Sequence, residues 1–327
     1  MSWLSWGSGG EPEVAPQKNE DKEISLLLAR LESSTLPEDK RATVEKIHEI
    51  CDEHPTVIFD NEDMKVLINI LQNEQDEDEM CQKIVQSFLA LVDHGNATMT
   101  NIFVQQPSNI TTLMDLLTKK YTYLRFYAVR LLSNLLVARV EKTQAVILTY
   151  PQGVNIITSL LMDRKEIIRN EVLLLLEALT HDNMAIQKIV AFDGGFEHLL
   201  QIAGSPHEEI VVIEDCLRIV GDMLQNNTSN QELFAELGLI RRLPDFLLYY
   251  SMSNRTDEEE AEQKQNLSLS SQQLSVLDLV LKIIWNVAAP TFETDADPSR
   301  INQTQTRLTC LLPGMYICIH IYYNTTA

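Results

Sequence analysis

Three features of this 327-residue chain predict an all-α fold, a right-handed solenoid of stacked helical repeats. The first is a recurrence. A turn residue followed by an apolar helix start returns at Ile110, Val154, Phe196 and Leu239, in steps of 44, 42 and 43 residues. The second is that a longer apolar run precedes each return, with a short amphipathic stretch between them. The third is composition: 11 Gly, 11 Pro and 6% aromatics are too few breakers and rings for a β-sandwich, and the β-branched residues follow helical spacing. A period in the low forties matches armadillo or HEAT-type repeats. Such stacks build extended surfaces, so the expected task is holding partners and not catalysis.

The elements follow in order. Residues 1–20 read as a disordered leader, with Trp3, Leu4 and Trp6 as a weak candidate anchor. Helical periodicity begins near Lys22 with ISLLLARL and breaks at SSTLPEDKR, where Thr35, Pro37 and Glu38 suggest a capped helix start. That helix stops before Pro55, and residues 61–72 form another amphipathic segment. Long inner helices are expected at about 79–93, 123–138, 166–180 and 209–225. The third contains VLLLLEAL, apolar almost all round, so Leu173 to Leu176 are expected in the core. Ser205–Glu208 and Ser229–Glu232 both fit a capping box. The armadillo-like region is placed at 21–290, interrupted by an acidic loop at about 251–271, and LSVLDLVLKIIWNVAA opens a fifth repeat. Residues 291–327 do not continue the pattern. The apolar stretch 308–323 is short for a spanning helix, and is expected to be an end foreign to the array instead of a packed helix or tail anchor.

Charge narrows the partners. The net charge is −21 and the pI about 4.7. Nucleic acid needs lysine and arginine stripes, and anionic headgroups repel such a chain, so membrane association is expected to be indirect. From Lys119 to Lys188, however, ten Lys/Arg face six Asp/Glu, a local excess of four positive charges. Ordinary solvated helix faces explain such a window. A docking face for acidic partners, built on Arg125, Arg164, Lys165, Arg169 and Lys188, explains it more sharply.

Catalytic chemistry finds no support. There is no phosphate-binding glycine loop, nucleophile elbow or H-E-x-x-H, and no cofactor is expected. His48, Cys51 and His54 share spacing that suits a metal, but Pro55 ends the helix and no second ligand pair follows, so no metal is expected. Cys51, Cys81 and Cys216 read as buried free thiols. Eight N-x-S/T sequons read as chance polar turns. Asn134 in LLSNLL and Asn286 in IIWNVA sit where armadillo-type proteins place asparagines that pair with an extended peptide backbone. Their counterparts near Ala178 and Asp222 break the series, which argues against an importin-like cargo groove.

Three blocks carry a family resemblance: LLARLESSTLPEDKRATVEKI, IIRNEVLLLLEALTHDNMAIQKIVAFDGGFEHLL and IVVIEDCLRIVGDMLQNNTSNQELF. Over about residues 22–290 the chain resembles the globular head of the general vesicular transport factors, the golgin-like vesicle tethers of the Golgi. The resemblance implies a non-catalytic, cytosolic, peripheral membrane head. It also implies Rab-type GTPase and SNARE partners, contacts with other Golgi tethers, and a homodimer that can persist through the head. The family's long coiled coil needs several heptads, and none occurs here, so the chain reads as shortened. The alternative is an armadillo-type adaptor that regulates a chaperone.

Overall fold

The computed structural model describes residues 19–74, 77–252 and 270–288. The expectations for residues 1–18 of the leader, for most of the acidic loop and for the C-terminal end fall outside the described residues, while residues 19 and 20 already belong to a helix. All regular structure among the described residues is helical. The chain divides into two compact units, residues 1–112 and 113–327.

The first unit contains α1 (Asn19–Ser33), α2 (Pro37–Glu53), α3 (Asn61–Asn73), α4 (Asp78–Asp93), α5 (Ala97–Gln105) and the start of α6 (Pro107–Leu116). Helix α2 packs on α1 and α4, and α3 on α1 and α4. Its core gathers Phe59, Phe88 and Phe103, all fully buried, with edge-to-face ring contacts at 5.9 and 5.2 Å. Helix α3 starts with a true capping box. Asp60 accepts from the N–H groups of Glu62 and Asp63 at 2.8 and 2.9 Å, and Asp63 accepts from the Asp60 N–H.

The second unit runs through α7 (Thr122–Ala138), α8 (Val140–Thr149), α9 (Gly153–Ser159), α10 (Glu166–Thr180), α11 (Met184–Phe192) and α12 (Gly195–Ala203). It continues with α13 (Ile210–Leu224), α14 (Thr228–Glu236), α15 (Leu243–Met252) and α16 (Ser271–Ala288). The long helices stack in sequence, α7 on α10, α10 on α13 and α13 on α16, while α11 touches α9 and α14. The four predicted inner helices therefore stand within one residue of their expected bounds. This is a run of helical solenoid, as the period predicts.

Two turns recur and make the repeat. One places a left-handed residue before an asparagine cap: Gly95–Asn96, Asp182–Asn183 and Asn226–Asn227, with φ of 74°, 49° and 56° at the first residue. The other places Gln152, Gly194 or Gly238 at φ 55°, 82° or 70° before the next helix. Gly195 follows this turn, and a Cβ there would lie 2.7 Å from the Val190 carbonyl oxygen, so the backbones approach too closely for any side chain.

Several expected details are corrected. Helix α2 has Leu36 at its cap position and no side-chain cap, because Pro37 occupies the first helical position and leaves Thr35 one residue too early. Ser205–Glu208 forms a turn, and α13 starts later behind an uncapped Glu209. The cap of α14 is Asn227, two residues before the predicted serine, because the left-handed Asn226 sets where the helix begins. Leu173, Leu175 and Leu176 are buried as expected, but Leu174 is 49% exposed. A 3.6-residue period turns one residue in a four-leucine run away from the core. Helix α6 begins at Pro107, three residues ahead of Ile110.

Candidate functional site

Stacking brings equivalent positions of the long helices side by side in the second unit. Arg218 on α13 pairs with Glu177 on α10 at 3.0 Å and with Asp215 at 2.6 Å. Lys282 on α16 pairs with Asp222 on α13 at 2.9 Å. Burial pushes the Asp215 carboxyl up, and Arg218 pulls against that shift. The Asn286 side chain donates to the Gly221 carbonyl at 3.0 Å. Asn134 is half-buried on α7 and already engaged within the protein. The Asn286 amide and these charges tie neighbouring helices to each other. Between them the same helices expose apolar side chains: Ile167 and Leu174 on α10, Val211 on α13 and Trp285 on α16.

The cationic window separates into two kinds of residue. Arg125 donates to the carbonyls of Lys119 and Lys120 at 2.7 and 3.0 Å and to Asp163 at 2.9 Å, and both side chains of the ion pair are 13% exposed. Arg169 donates to the Asp163 carbonyl at 3.0 Å and lies 3.6 Å from Glu208. These two arginines fasten α7, the turn before α10 and the turn before α13. Arg164 and Lys165 are exposed on the turn that opens α10 and form no ion pair among the described residues. Lys188 is exposed on α11. Four of the predicted cations, Arg125, Arg164, Lys165 and Arg169, therefore gather about the Asp163 turn. Arg164 and Lys165 are adjacent free cations over a helix N-terminus, where the backbone adds further positive potential. Lys188 stands on a different element, and Arg125 and Arg169 are structural.

A buried amide network, which periodicity and charge do not reveal, runs between repeats. Gln144 donates to the carbonyls of Leu179 and His181, and its side-chain oxygen accepts from Asn183 at 2.9 Å. Gln187 donates to the Thr180 carbonyl and accepts from Asn227 at 3.0 Å. Asn230 donates to the carbonyls of Gln187 and Met223. The carbonyls of Leu179, Thr180, His181 and Met223 stand at helix ends, which lack intrahelical partners, and amides supply the missing donors. The available signal was the tripeptide series HGN, HDN and QNN at residues 94–96, 181–183 and 225–227. Asn109 and Asn227 are 3% and 0% exposed, so these two sequons are structural amides.

Among the described residues, no group of three or more His, Cys, Asp or Glu is placed to hold a metal ion. His48 and Cys51 are instead core neighbours on α2. Burial lowers the His48 imidazole and pushes the Cys51 thiol up to about 12, which disfavours the thiolate a metal requires. No single described helix is long and apolar enough to cross a membrane. The bent pair 140–149 and 153–162 qualifies by composition, but Ile147, Ile157 and Leu161 are fully buried within the unit.

Comparison with known proteins agrees with this architecture. Residues 54–192 match the family model described as the Neurobeachin/BDCP, DUF4704 alpha solenoid region. The chain is 32% identical over 309 residues to the general vesicular transport factor p115 of Homo sapiens, covering 89% of this chain and 31% of the relative. It is 35% identical over 217 residues to Golgin candidate 6 of Arabidopsis thaliana, covering 61% of this chain and 23% of that one. The crystal structure of Uso1-2 superposes with a TM-score of 0.72 at 23% identity, covering 94% of this chain and 48% of that structure. The fold is therefore the one solved there. By sequence the chain is a relative of the general vesicular transport factors, and it spans about a third of their length.

Proposed function

We propose that this chain is a non-catalytic vesicle-tethering head acting in transport from the endoplasmic reticulum to the Golgi and within the Golgi. It works on the cytosolic face of Golgi membranes by binding Rab-type GTPases, SNARE proteins and other Golgi tethers. The observation that carries this reading is the alignment of 89% of the chain with a general vesicular transport factor. The solenoid fits it, because stacked repeats offer long surfaces and place their titratable side chains in inter-helix pairs. Arg164 and Lys165 are exposed cations, without an ion pair among the described residues, that can meet an acidic partner. Docking there depends on charge more than on buried area, so it weakens with salt.

The test is a pull-down with the full chain on beads against a purified Rab-type GTPase, in its GTP-analogue and GDP forms, and against SNARE cytosolic domains. Capture by the parent chain and loss in Arg164→Glu/Lys165→Glu, with helicity unchanged, supports the reading. Capture of neither class by the parent chain overturns it. Co-purification with a chaperone in place of Golgi membranes would favour the adaptor alternative.

A further inference from the structure

Three stacked long helices of the second unit turn the same position outward. Tyr123 on α7, Ile167 on α10 and Val211 on α13 follow one another at steps of 44 residues. They are 55%, 45% and 54% exposed. In each helix the next residue, Leu124, Ile168 or Val212, is buried, and so is its counterpart one turn further, Ala128, Val172 or Cys216. The three helices therefore present this position in one phase, and α10 packs on both α7 and α13. The result is an apolar row with one side chain from each of three consecutive repeats. Apolar side chains scattered singly over a surface are ordinary, but a row kept in register marks a contact. Tyr123 is already steadied, because its ring meets Tyr121 edge-on with centroids 6.2 Å apart. Ordering it then costs a partner little.

The edge beside the row is cationic at one end. Lys120 and Arg164 stand three residues ahead of Tyr123 and Ile167, at equivalent places in the repeat, and Lys165 adjoins Arg164. All three are exposed and form no ion pair among the described residues. Of the acids nearby, Asp163 is engaged by Arg125 and Glu208 by Arg169. Glu166 and Glu209 remain exposed, and Glu209 takes ahead of α13 the place that Lys165 takes ahead of α10. A partner that fits must bring acidic side chains to the α7 and α10 end and apolar side chains along the row. On a chain of net charge −21, this edge attracts a negative segment that most of the surface repels.

We infer that Tyr123, Ile167 and Val211, with the cations Lys120, Arg164 and Lys165, form a docking site for an acidic peptide segment that carries apolar side chains. The cations draw in and orient the segment, and the apolar row holds it, with Tyr123 as the aromatic anchor. This site rests on the reading of Arg164 and Lys165 as a docking face, and adds the apolar contacts that distinguish one acidic partner from another.

The test is fluorescence anisotropy with the full chain and three labelled synthetic peptides. One has an acidic block followed by leucine and phenylalanine, the second the same block followed by serine, and the third a lysine block followed by leucine and phenylalanine. The first should bind, and the other two should be weaker by at least about tenfold. Tyr123→Ser/Ile167→Ser and Lys120→Glu/Arg164→Glu/Lys165→Glu should each weaken the first peptide by at least about tenfold. Val211→Asp, a single exposed change, should weaken it too, while Phe192→Ser, exposed on α11, should leave it unchanged. Thermal unfolding like that of the parent confirms that each variant is folded. The inference is overturned if the first peptide does not bind the parent chain or if the serine peptide binds equally well. It is also overturned if Tyr123→Ser/Ile167→Ser and Val211→Asp bind the first peptide as the parent does, or if they instead abolish self-association of the chain or its flotation with phosphatidylserine vesicles. No GTPase or SNARE enters this measurement. Failure to capture either class, with the peptide series intact, removes the tether reading and leaves this site standing.

Discussion

Arg125 is the residue where the sequence and the structure part most sharply, and replacing it separates docking from folding. Its guanidinium meets Asp163 and two carbonyl oxygens with both charged side chains 13% exposed. Arg125→Ala leaves the Asp163 carboxylate with its attractive partner gone. Breaking a buried pair from one side costs about 3–5 kcal/mol. The carbonyls of Lys119 and Lys120 lie near the surface and regain water, so the low end applies, about 3 kcal/mol. Arg125→Lys keeps the charge but has no planar fork to span carboxylate and carbonyls together, so about 1–2 kcal/mol should be lost. The measurement is urea unfolding of the full chain followed by far-ultraviolet circular dichroism, with hydrogen exchange of α7 and α10 as a local probe, since repeat arrays need not unfold in one step. If Arg125→Ala unfolds within about 0.5 kcal/mol of the parent, a range typical of ordinary surface substitutions, yet loses partner capture, the side chain is a docking residue and this reasoning fails.

Other outcomes follow from the same coordinates. Leu175→Ala should cost about 2–5 kcal/mol, whereas Leu174→Ala, one residue earlier but half-exposed, should cost far less. Equal losses would contradict the helix phase. Asn227→Ala removes a helix cap and the donor to the Gln187 side chain, and should cost about 2–3 kcal/mol, visible as faster hydrogen exchange in α14. The Cys51 thiol, pushed up to about 12 by burial, and the Cys216 thiol, also raised by burial, should react with Ellman's reagent only on unfolding. The sign of the linked pH effect follows. The folded state keeps protons that the unfolded chain releases above about pH 8.5. This contribution to stability is thus whole below that pH and declines above it, and Cys51→Ala/Cys216→Ala should flatten the decline in pH-dependent unfolding.

Recurrence alone made the stacked-helix architecture legible. A repeat cannot bury its apolar face by itself, so the same face must reappear at a fixed interval, and the interval of 42–44 residues can be read without coordinates. The long helices α7, α10 and α13 were visible because their apolar residues keep one phase over four turns. The phase of the VLLLLEAL run was not legible, because four adjacent leucines carry no contrast between faces, and only packing turned Leu174 outward. Caps were misplaced for a related reason. Several serine-led patterns compete locally, and the left-handed residue that chooses among them is set by how one helix must return against the last.

The sequence by itself determined that this protein is a helical array, acidic overall with a cationic middle, and akin to vesicular transport factors. Only the tertiary structure decided which cations are available. Arg125 and Arg169 lie 38 and 39 residues from their acidic partners Asp163 and Glu208, about one repeat, and stacking closes that gap into ion pairs. Arg164, Lys165 and Lys188 meet no such neighbour and stay in solvent. Side chains about one repeat apart are distant along the chain but adjacent in a solenoid, so pairing between repeats is a property of the stack.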